Sequence, residues 1–377
     1  MTTTGLMICG HGSRSKSAEA EFSLLAKGLR ARYPDVPVEY GFLEYSAPNI
    51  HMGLDALVAA GVTEIVAVPG MLFAATHAKN DIPSVLTTYG QKHPGVTMRY
   101  GRELGLHPQM IAAFEARILE AIDKSHVHDG ELYDTMLVVV GRGTSDTLAN
   151  AEAARLTRIV AENLGFGWSE TVYSGVTFPS VGRGLEMALK LGYRKVVVAP
   201  YFLFSGRLID RIYGYVDRAA RAAPGVQFFK AHYLADQDHV LDTFIARIEE
   251  ARSGTIVETQ DLMASFQARL ARGEVDVHHH HAEFRDPLDD EAGGGHGHHH
   301  GAGDGHHHHH GHTHDHGHDH DHDQGHQHTH GHTHGVYRHI GHPNGPRTMI
   351  DQGVCCCFMS QFPQTVVDEE RELRNSD

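Results

Sequence analysis

Two histidines and one glutamate, His11, His77 and Glu44, are the side chains in the first half that are best suited to chemistry. Imidazole and carboxylate groups together bind divalent ions of the cobalt, nickel, zinc and iron series, and they also accept protons. Each of the three follows a predicted strand, and the carboxyl ends of parallel strands share one rim of a sheet. They are therefore predicted to form one site that binds a metal and accepts protons.

The second half of the chain provides an internal control, because it repeats the first half at one constant offset, the interval that separates His11 from Arg142. Residues 6–14 align with residues 137–145. Further landmarks keep the same offset: Pro48 and Pro179, Gly53 and Gly184, Gly61 and Gly192, and Pro69 and Pro200. Such spacing indicates two copies of one structural unit.

The repeat keeps its framework and loses its chemical groups. At the matching positions the second half carries Arg142, Gly175 and Leu208 in place of His11, Glu44 and His77. A single histidine is more often structural than functional. Loss of all three groups beside a retained framework indicates one active site, which the first half supplies.

Short apolar runs alternate with longer amphipathic stretches throughout residues 1–251. Strands are predicted at 5–9, 38–43, 65–69, 96–100, 135–140, 171–176, 195–199 and 226–230. Helices are predicted at 15–32, 50–60, 79–92, 107–123, 146–164, 181–191, 207–222 and 238–251. This alternation predicts an α/β fold of two tandem flavodoxin-like domains, whose parallel sheets face a central cleft.

Composition suggests four regions. Residues 1–125 are predicted to be the catalytic domain and residues 126–270 its degenerate copy. Residues 271–342 are predicted to be a disordered, metal-binding tail, since residues 278–342 hold 26 of the 35 histidines and almost nothing apolar. Residues 343–377 form a cysteine-containing end.

The turn Gly10-His11-Gly12-Ser13 follows the first strand and opens a helix. It lacks the third glycine of a dinucleotide-binding turn and the Gly-Lys-Ser/Thr of a phosphate-binding loop, so no nucleotide is expected. Ser13 and the helix amides would instead face an anion; the alternative is an ordinary strand-to-helix turn with an N-cap. Arg14, Arg142 and Arg207 are candidates to pair with substrate carboxylates, with Arg211 as a further one; the alternative is that they are solvated surface arginines.

Net charge and hydropathy exclude some partners. A formal charge of −15 argues against nucleic acid. No apolar run approaches the length of a membrane span, and the N-terminus lacks the pattern of a secretion signal. A cytoplasmic, soluble protein is expected.

The histidine-rich tract is interleaved with Gly, Asp and Thr, which is unlike an expression tag. Imidazoles at this density bind Ni, Co, Zn or Cu with little selectivity. The auxiliary metal ligands predicted here are His306, His307, His308, His309, His310, His312, His314, His316, His318 and His320. A flexible linker with incidental metal affinity is the alternative.

Three adjacent cysteines, Cys355, Cys356 and Cys357, lie near the C-terminus. Adjacent cysteines cannot supply the spaced ligands of a C-x-x-C pair. A cluster shared between subunits, a soft metal site and a redox-sensitive tail all remain open.

The chain resembles the class II chelatases, in their long sirohydrochlorin cobaltochelatase form. The resemblance rests on Gly-His-Gly-Ser-Arg at 10–14, Gly-Phe-Leu-Glu at 41–44 and, most specifically, the stretch 69–83, and it covers about residues 1–250. Relatives of this form also tend to carry a histidine-rich region and a cysteine-bearing C-terminus. Some of them have a C-x-x-C where this chain has three adjacent cysteines, which weighs against an iron–sulfur cluster here.

This resemblance implies ATP-independent insertion of Co²⁺, as the substrate metal, into the tetrapyrrole sirohydrochlorin or its precursor precorrin-2. The family's metal-handling positions fall on His11, His77 and Glu44. Insertion of iron for sirohaem would use the same residues and is the alternative activity. A different class of function, cobalt or nickel storage or delivery, would centre on the histidine-rich tract. Because two fused copies would close one cleft, the chain is expected to act as a monomer.

Overall fold

The computed structural model describes residues 3–13, 15–175 and 177–277, together with Thr365, Asp368, Glu369 and Glu372. Arg14, predicted to bind substrate, lies outside the described residues. So do the histidine-rich tract, with its predicted disorder and metal ligands, and the three adjacent cysteines.

The first half forms a four-stranded parallel sheet with helices packed against it. Its strands are β1 (Thr4–Gly10), β2 (Val38–Phe42), β3 (Glu64–Pro69) and β4 (Thr97–Tyr100), in the spatial order β2-β1-β3-β4. Its helices are α1 (Lys16–Arg32), α2 (Ile50–Ala59), α3 (Ile82–Lys92) and α4 (Pro108–Ala121), and a short π-helix, His77–Asp81, precedes α3.

The second half has the same arrangement. Its strands are β5 (Thr135–Gly141), β6 (Trp168–Tyr173), β7 (Lys195–Pro200) and β8 (Gln227–Lys230), in the order β6-β5-β7-β8, all parallel. Its helices are α5 (Thr147–Leu164), α6 (Val181–Lys190), α7 (Arg207–Ala222) and α8 (Asp238–Ser253). One more helix, α9 (Leu262–Ala271), follows the repeat. The predicted α/β fold with two parallel sheets is confirmed.

The central strands are apolar over most of their length because helices cover both faces of each sheet. Leu6, Met7, Ile8 and Cys9 of β1 have no exposed surface. Residues 136–140 of β5 are equally buried. Burial on both sides explains why these strands appear in the sequence as continuous apolar runs.

The offset between the two copies is preserved in three dimensions. Three pairs of elements begin and end at positions separated by this same sequence offset: strands β1 and β5, strands β3 and β7, and helices α2 and α6. Isolated bridges join Phe42 to Asn49 and Tyr173 to Ser180, again at the same offset. The repeat therefore extends beyond the regular elements to the loops after β2 and β6.

The two halves share part of their core. Helix α4 packs against α8, and one hydrophobic cluster contains residues from both sheets. Within it, the rings of Phe114 and Tyr201 meet edge to face at 5.0 Å between centroids. This packing fixes the position of one sheet relative to the other.

Three details differ from the sequence prediction. Strand β6 begins at Trp168, three residues before the predicted start, because its first residues pair with β5 through the backbone although their side chains are largely polar and partly exposed. The π-helix precedes α3 where one continuous helix was predicted, and α9 was not predicted at all.

Within the described ranges, no helix is both long and apolar enough to span a lipid bilayer.

Candidate metal centre

His11, Glu44 and His77 come together at the carboxyl end of the first sheet. One ligand atom from each residue lies within 4.8 Å of those of the other two, and all three residues are half-buried. In the part of the chain that the structure describes, this is the one cluster of three or more His, Cys, Asp or Glu residues with such spacing. Two nitrogens and a carboxylate oxygen at this separation suit a divalent first-row metal.

His11 is placed by the turn that follows β1. The backbone N–H of Glu44 donates to the carbonyl of His11 at 3.1 Å, which ties the end of β1 to the loop after β2. Gly12 has a φ of 97°, and a Cβ there would lie 1.7 Å from the Glu44 carbonyl oxygen. Only glycine admits both the left-handed backbone and this close approach.

The two ring nitrogens of His11 have different surroundings. Nδ1 lies 3.4 Å from Oε1 of Glu44, and it is buried without a hydrogen-bond partner among the described residues. Nε2 lies 3.4 Å from the guanidinium of Arg142, which reaches it from the second half. A buried polar atom without a partner is uncommon and points to a group that the site still receives, such as a metal.

Burial lowers the pKa of the His11 imidazole well below its usual value, and the charges of Arg142 and His77 lower it further. The ring is therefore neutral near pH 7. A neutral imidazole is the form that binds metals and accepts protons.

His77 opens the π-helix and is oriented by a residue four positions later. Its Nδ1 lies 2.6 Å from Oδ2 of Asp81, whose side chain is only 5% exposed. This contact leaves Nε2 as the nitrogen that can bind a metal, an arrangement often found behind metal-binding histidines. The His77 and His11 rings lie edge to face with centroids 4.2 Å apart.

Three other elements hold the π-helix. The hydroxyl of Tyr100 in β4 donates to the carbonyl of Ala78 at 3.0 Å. The ammonium of Lys79 lies 2.5 Å from Asp146, which also caps α5 in the second half. Arg269 of α9 donates to the side chain of Asn80 and to the backbone carbonyl of Lys79.

These supporting residues were missed by the sequence analysis. The spacing of His77 and Asp81, four residues apart on a helix, is a signal that could have revealed the carboxylate. Asp146 and Arg269 lie 67 and 189 residues from their partners. No local pattern connects residues so far apart.

Of the predicted substrate-binding residues, Arg142 contacts the cluster, through Nε2 of His11. Ser13 is engaged locally, since its backbone N–H donates to Ser46 and its hydroxyl accepts from the N–H of Ser15. Arg207 is exposed at the first position of α7. The roles assigned to these residues stay predictions.

Comparison with known proteins identifies the family. The CbiX family model matches the chain twice, over residues 5–121 and 136–251. The chain belongs to the CbiX family. The two matched segments contain the two sheets, so the family unit corresponds to one half of the repeat.

Individual CbiX relatives cover most of the chain. It is 33% identical over 276 residues to a sirohydrochlorin cobaltochelatase from Priestia megaterium, spanning 73% of this chain and 87% of the relative. It is 31% identical over 240 residues to a sirohydrochlorin ferrochelatase from the same organism, spanning 63% of this chain and 86% of the relative.

Solved CbiX-type structures share the fold. The sirohydrochlorin chelatase SirB from Bacillus subtilis subspecies spizizenii in complex with cobalt has 25% identity and a TM-score of 0.57, covering 69% of this chain and 99% of SirB. SirB from Bacillus subtilis with Fe³⁺ has 26% identity and a TM-score of 0.60 over the same shares. One fold in these relatives is thus found with either metal.

Proposed function

We propose that this chain inserts Co²⁺ into sirohydrochlorin, or into its precursor precorrin-2, without ATP. The cluster of His11, Glu44 and His77 carries the proposal, because it combines a metal-binding set with groups that accept protons. The sirohydrochlorin chelatases among its relatives support the substrate.

The cluster has the groups that metal insertion requires. As the metal enters, two pyrrole N–H bonds break, two protons leave, and four ring nitrogens replace water and protein ligands. Neutral His11 and the Glu44 carboxylate are the proposed proton acceptors. His77, held through Nδ1 by Asp81, keeps Nε2 for the metal until the macrocycle takes it.

The two halves then have different tasks. Residues 1–125 supply the three metal-handling groups, and residues 126–270 close the cleft and supply Arg142. We propose that Arg142, Arg207 and Ser13 bind carboxylates at the edge of the tetrapyrrole. One chain, acting as a monomer, would bind one tetrapyrrole.

Cobalt is proposed over iron because the cobaltochelatase relative matches a longer part of the chain at higher identity than the ferrochelatase relative. Nitrogen and oxygen ligands of this kind bind both metals, so the cluster itself does not select one.

The test is a set of parallel insertion assays with Co²⁺, Fe²⁺ and Ni²⁺ under anaerobic conditions, followed by the absorbance of the tetrapyrrole. His11→Ala, His77→Ala and Glu44→Gln should each lower the rate by at least about a hundredfold, as losses of groups that touch the metal do. His126→Ala, a change at an exposed histidine in the segment between the halves, is the control. Near-normal rates in both histidine variants of the cluster would overturn the assignment.

A supporting role in metal supply is proposed for the histidine-rich tract, on the basis of its 26 histidines. Truncation after residue 277 keeps α9 and its contacts with the π-helix. The truncated protein should match the full chain at saturating cobalt and become slower when cobalt is scarce. Failure at high cobalt would place residues 278–377 in the catalytic machinery, and equal rates at low cobalt would reject the supply role.

A further inference from the structure

Arg142 reaches the metal cluster from the second half, and it occupies the repeat position of His11. Its guanidinium donates toward Nε2 of His11 across 3.4 Å. The side chain is nevertheless exposed, so it can turn away without disturbing the core. An exposed cation thus lies against a residue that binds a metal in the proposed function.

The contact between Arg142 and His11 is incompatible with metal binding through Nε2. The lone pair of Nε2 accepts the guanidinium N–H in this arrangement. A metal bound there would sit about 2.1 Å from Nε2 and would need the same lone pair. The guanidinium must therefore leave.

The contact is equally incompatible with metal binding through Nδ1, the buried nitrogen beside Glu44. A neutral imidazole whose Nδ1 lone pair binds a metal carries its proton on Nε2. That N–H would then face an N–H of Arg142, with two donors opposed and no acceptor between them. The guanidinium must again leave.

Charge repulsion also favours departure of the Arg142 guanidinium when a metal binds. A divalent ion among His11, Glu44 and His77 would lie close to the positive charge of Arg142 in a partly buried setting, where like charges repel more strongly than in water. Glu44 attracts Arg142 and the metal alike. Arg142 and the metal therefore compete for His11 and Glu44.

We propose that Arg142 competes with the metal for His11 and Glu44, and that a carboxylate of the tetrapyrrole relieves this competition by drawing the guanidinium away. The inference rests on the proposed function, since the tetrapyrrole supplies the carboxylate. Arg142 thereby couples macrocycle binding to metal binding. Such coupling is reciprocal, so each ligand strengthens the binding of the other.

The first measurement uses cobalt alone, without tetrapyrrole. Co²⁺ binding to the full chain is measured by competition with a chromophoric chelator. The binding curve of the same protein carrying His11→Ala is subtracted, which leaves the His11-dependent Co²⁺ binding. Arg142→Gln should raise the affinity of this His11-dependent Co²⁺ binding by at least about fivefold, which is the lower end of typical coupling between two binding sites. Arg142→Lys, which keeps the charge, and Arg155→Gln, at an exposed arginine of α5, should leave it within twofold of the unmodified chain.

The second measurement uses metal-free sirohydrochlorin in the presence of a chelator, followed by tetrapyrrole fluorescence. Arg142→Gln should weaken this binding several-fold, because the guanidinium no longer receives a carboxylate. Arg155→Gln should leave it unchanged. Circular dichroism of every variant checks that the fold is retained.

The outcomes separate the two proposals. Unchanged or weaker His11-dependent cobalt binding in Arg142→Gln overturns the competition. Tighter cobalt binding with unchanged sirohydrochlorin binding overturns the coupling. Failure of the unmodified chain to bind sirohydrochlorin contradicts the proposed function instead, while the cobalt measurement still decides whether Arg142 and the metal compete.

Discussion

The ammonium group of Lys79 lies 2.5 Å from the carboxylate of Asp146, and this contact joins the π-helix that carries His77 to the N-cap of α5. Both side chains are largely buried, at 16% and 1% exposure. The second half thus holds a metal-handling residue of the first half in place.

Lys79→Ala should lower the free energy of unfolding by about 3 kcal/mol, because it removes the cationic partner of the buried Asp146 carboxylate. Lys190→Ala, which breaks the exposed pair with Glu186, is the matched control and should cost less than about 1 kcal/mol. Urea denaturation of both proteins measures the difference. Equal losses would show that the Lys79 contact adds no more than a surface ion pair.

Asp81→Asn should weaken the His77-dependent part of cobalt binding by about tenfold, since removal of the charge behind a ligating histidine lowers its basicity. The amide keeps the shape of the buried side chain and can still accept from Nδ1. Affinity is measured by chelator competition, with subtraction of the matching His77→Ala protein. Asp242→Asn, at an exposed aspartate of α8, is the control, and an equal effect of both changes would contradict the role given to Asp81.

Gly12→Ala should disrupt the metal cluster, because the new Cβ would collide with the Glu44 carbonyl. Gly61→Ala is a close control: φ is 83° there and no atom lies within 4 Å of the new Cβ. Gly61→Ala should lower the free energy of unfolding only by the backbone strain, which is about 1–2 kcal/mol. Unfolding in urea and His11-dependent cobalt binding are both measured, and we expect loss of metal binding in Gly12→Ala alone.

The lowered pKa of His11 should make stability depend on pH in a defined direction. The unfolded imidazole takes up a proton near pH 6.5, whereas the folded one does so only at lower pH. The unfolded state therefore binds more protons below about pH 6.5, so this contribution to stability is complete above that pH and is lost as the pH falls.

The corresponding measurement is urea unfolding at about pH 7.5 and about pH 5.5 with a chelator present. On acidification, the unmodified chain and His126→Ala should lose more stability than His11→Ala. Equal losses in all three proteins would mean that His11 titrates at its ordinary pKa.

Much of the architecture follows from local sequence. The apolar runs of β1, β3, β5 and β7 and the constant offset between the two halves indicated two copies of a parallel α/β unit. The positions of His11, Glu44 and His77 after successive strands placed them at one rim, since the ends of parallel strands meet there. The structure brings these three side chains together.

Tertiary structure alone decided what surrounds the cluster. Arg142 meets His11, Asp146 meets Lys79, and Arg269 meets Asn80 only because the halves and α9 pack in one particular way. The sequence by itself determined which groups could do chemistry, because side-chain type and strand order are local properties. Which charges face those groups, and which residues hold them in place, depends on contacts between distant segments, and these exist only in the packed molecule.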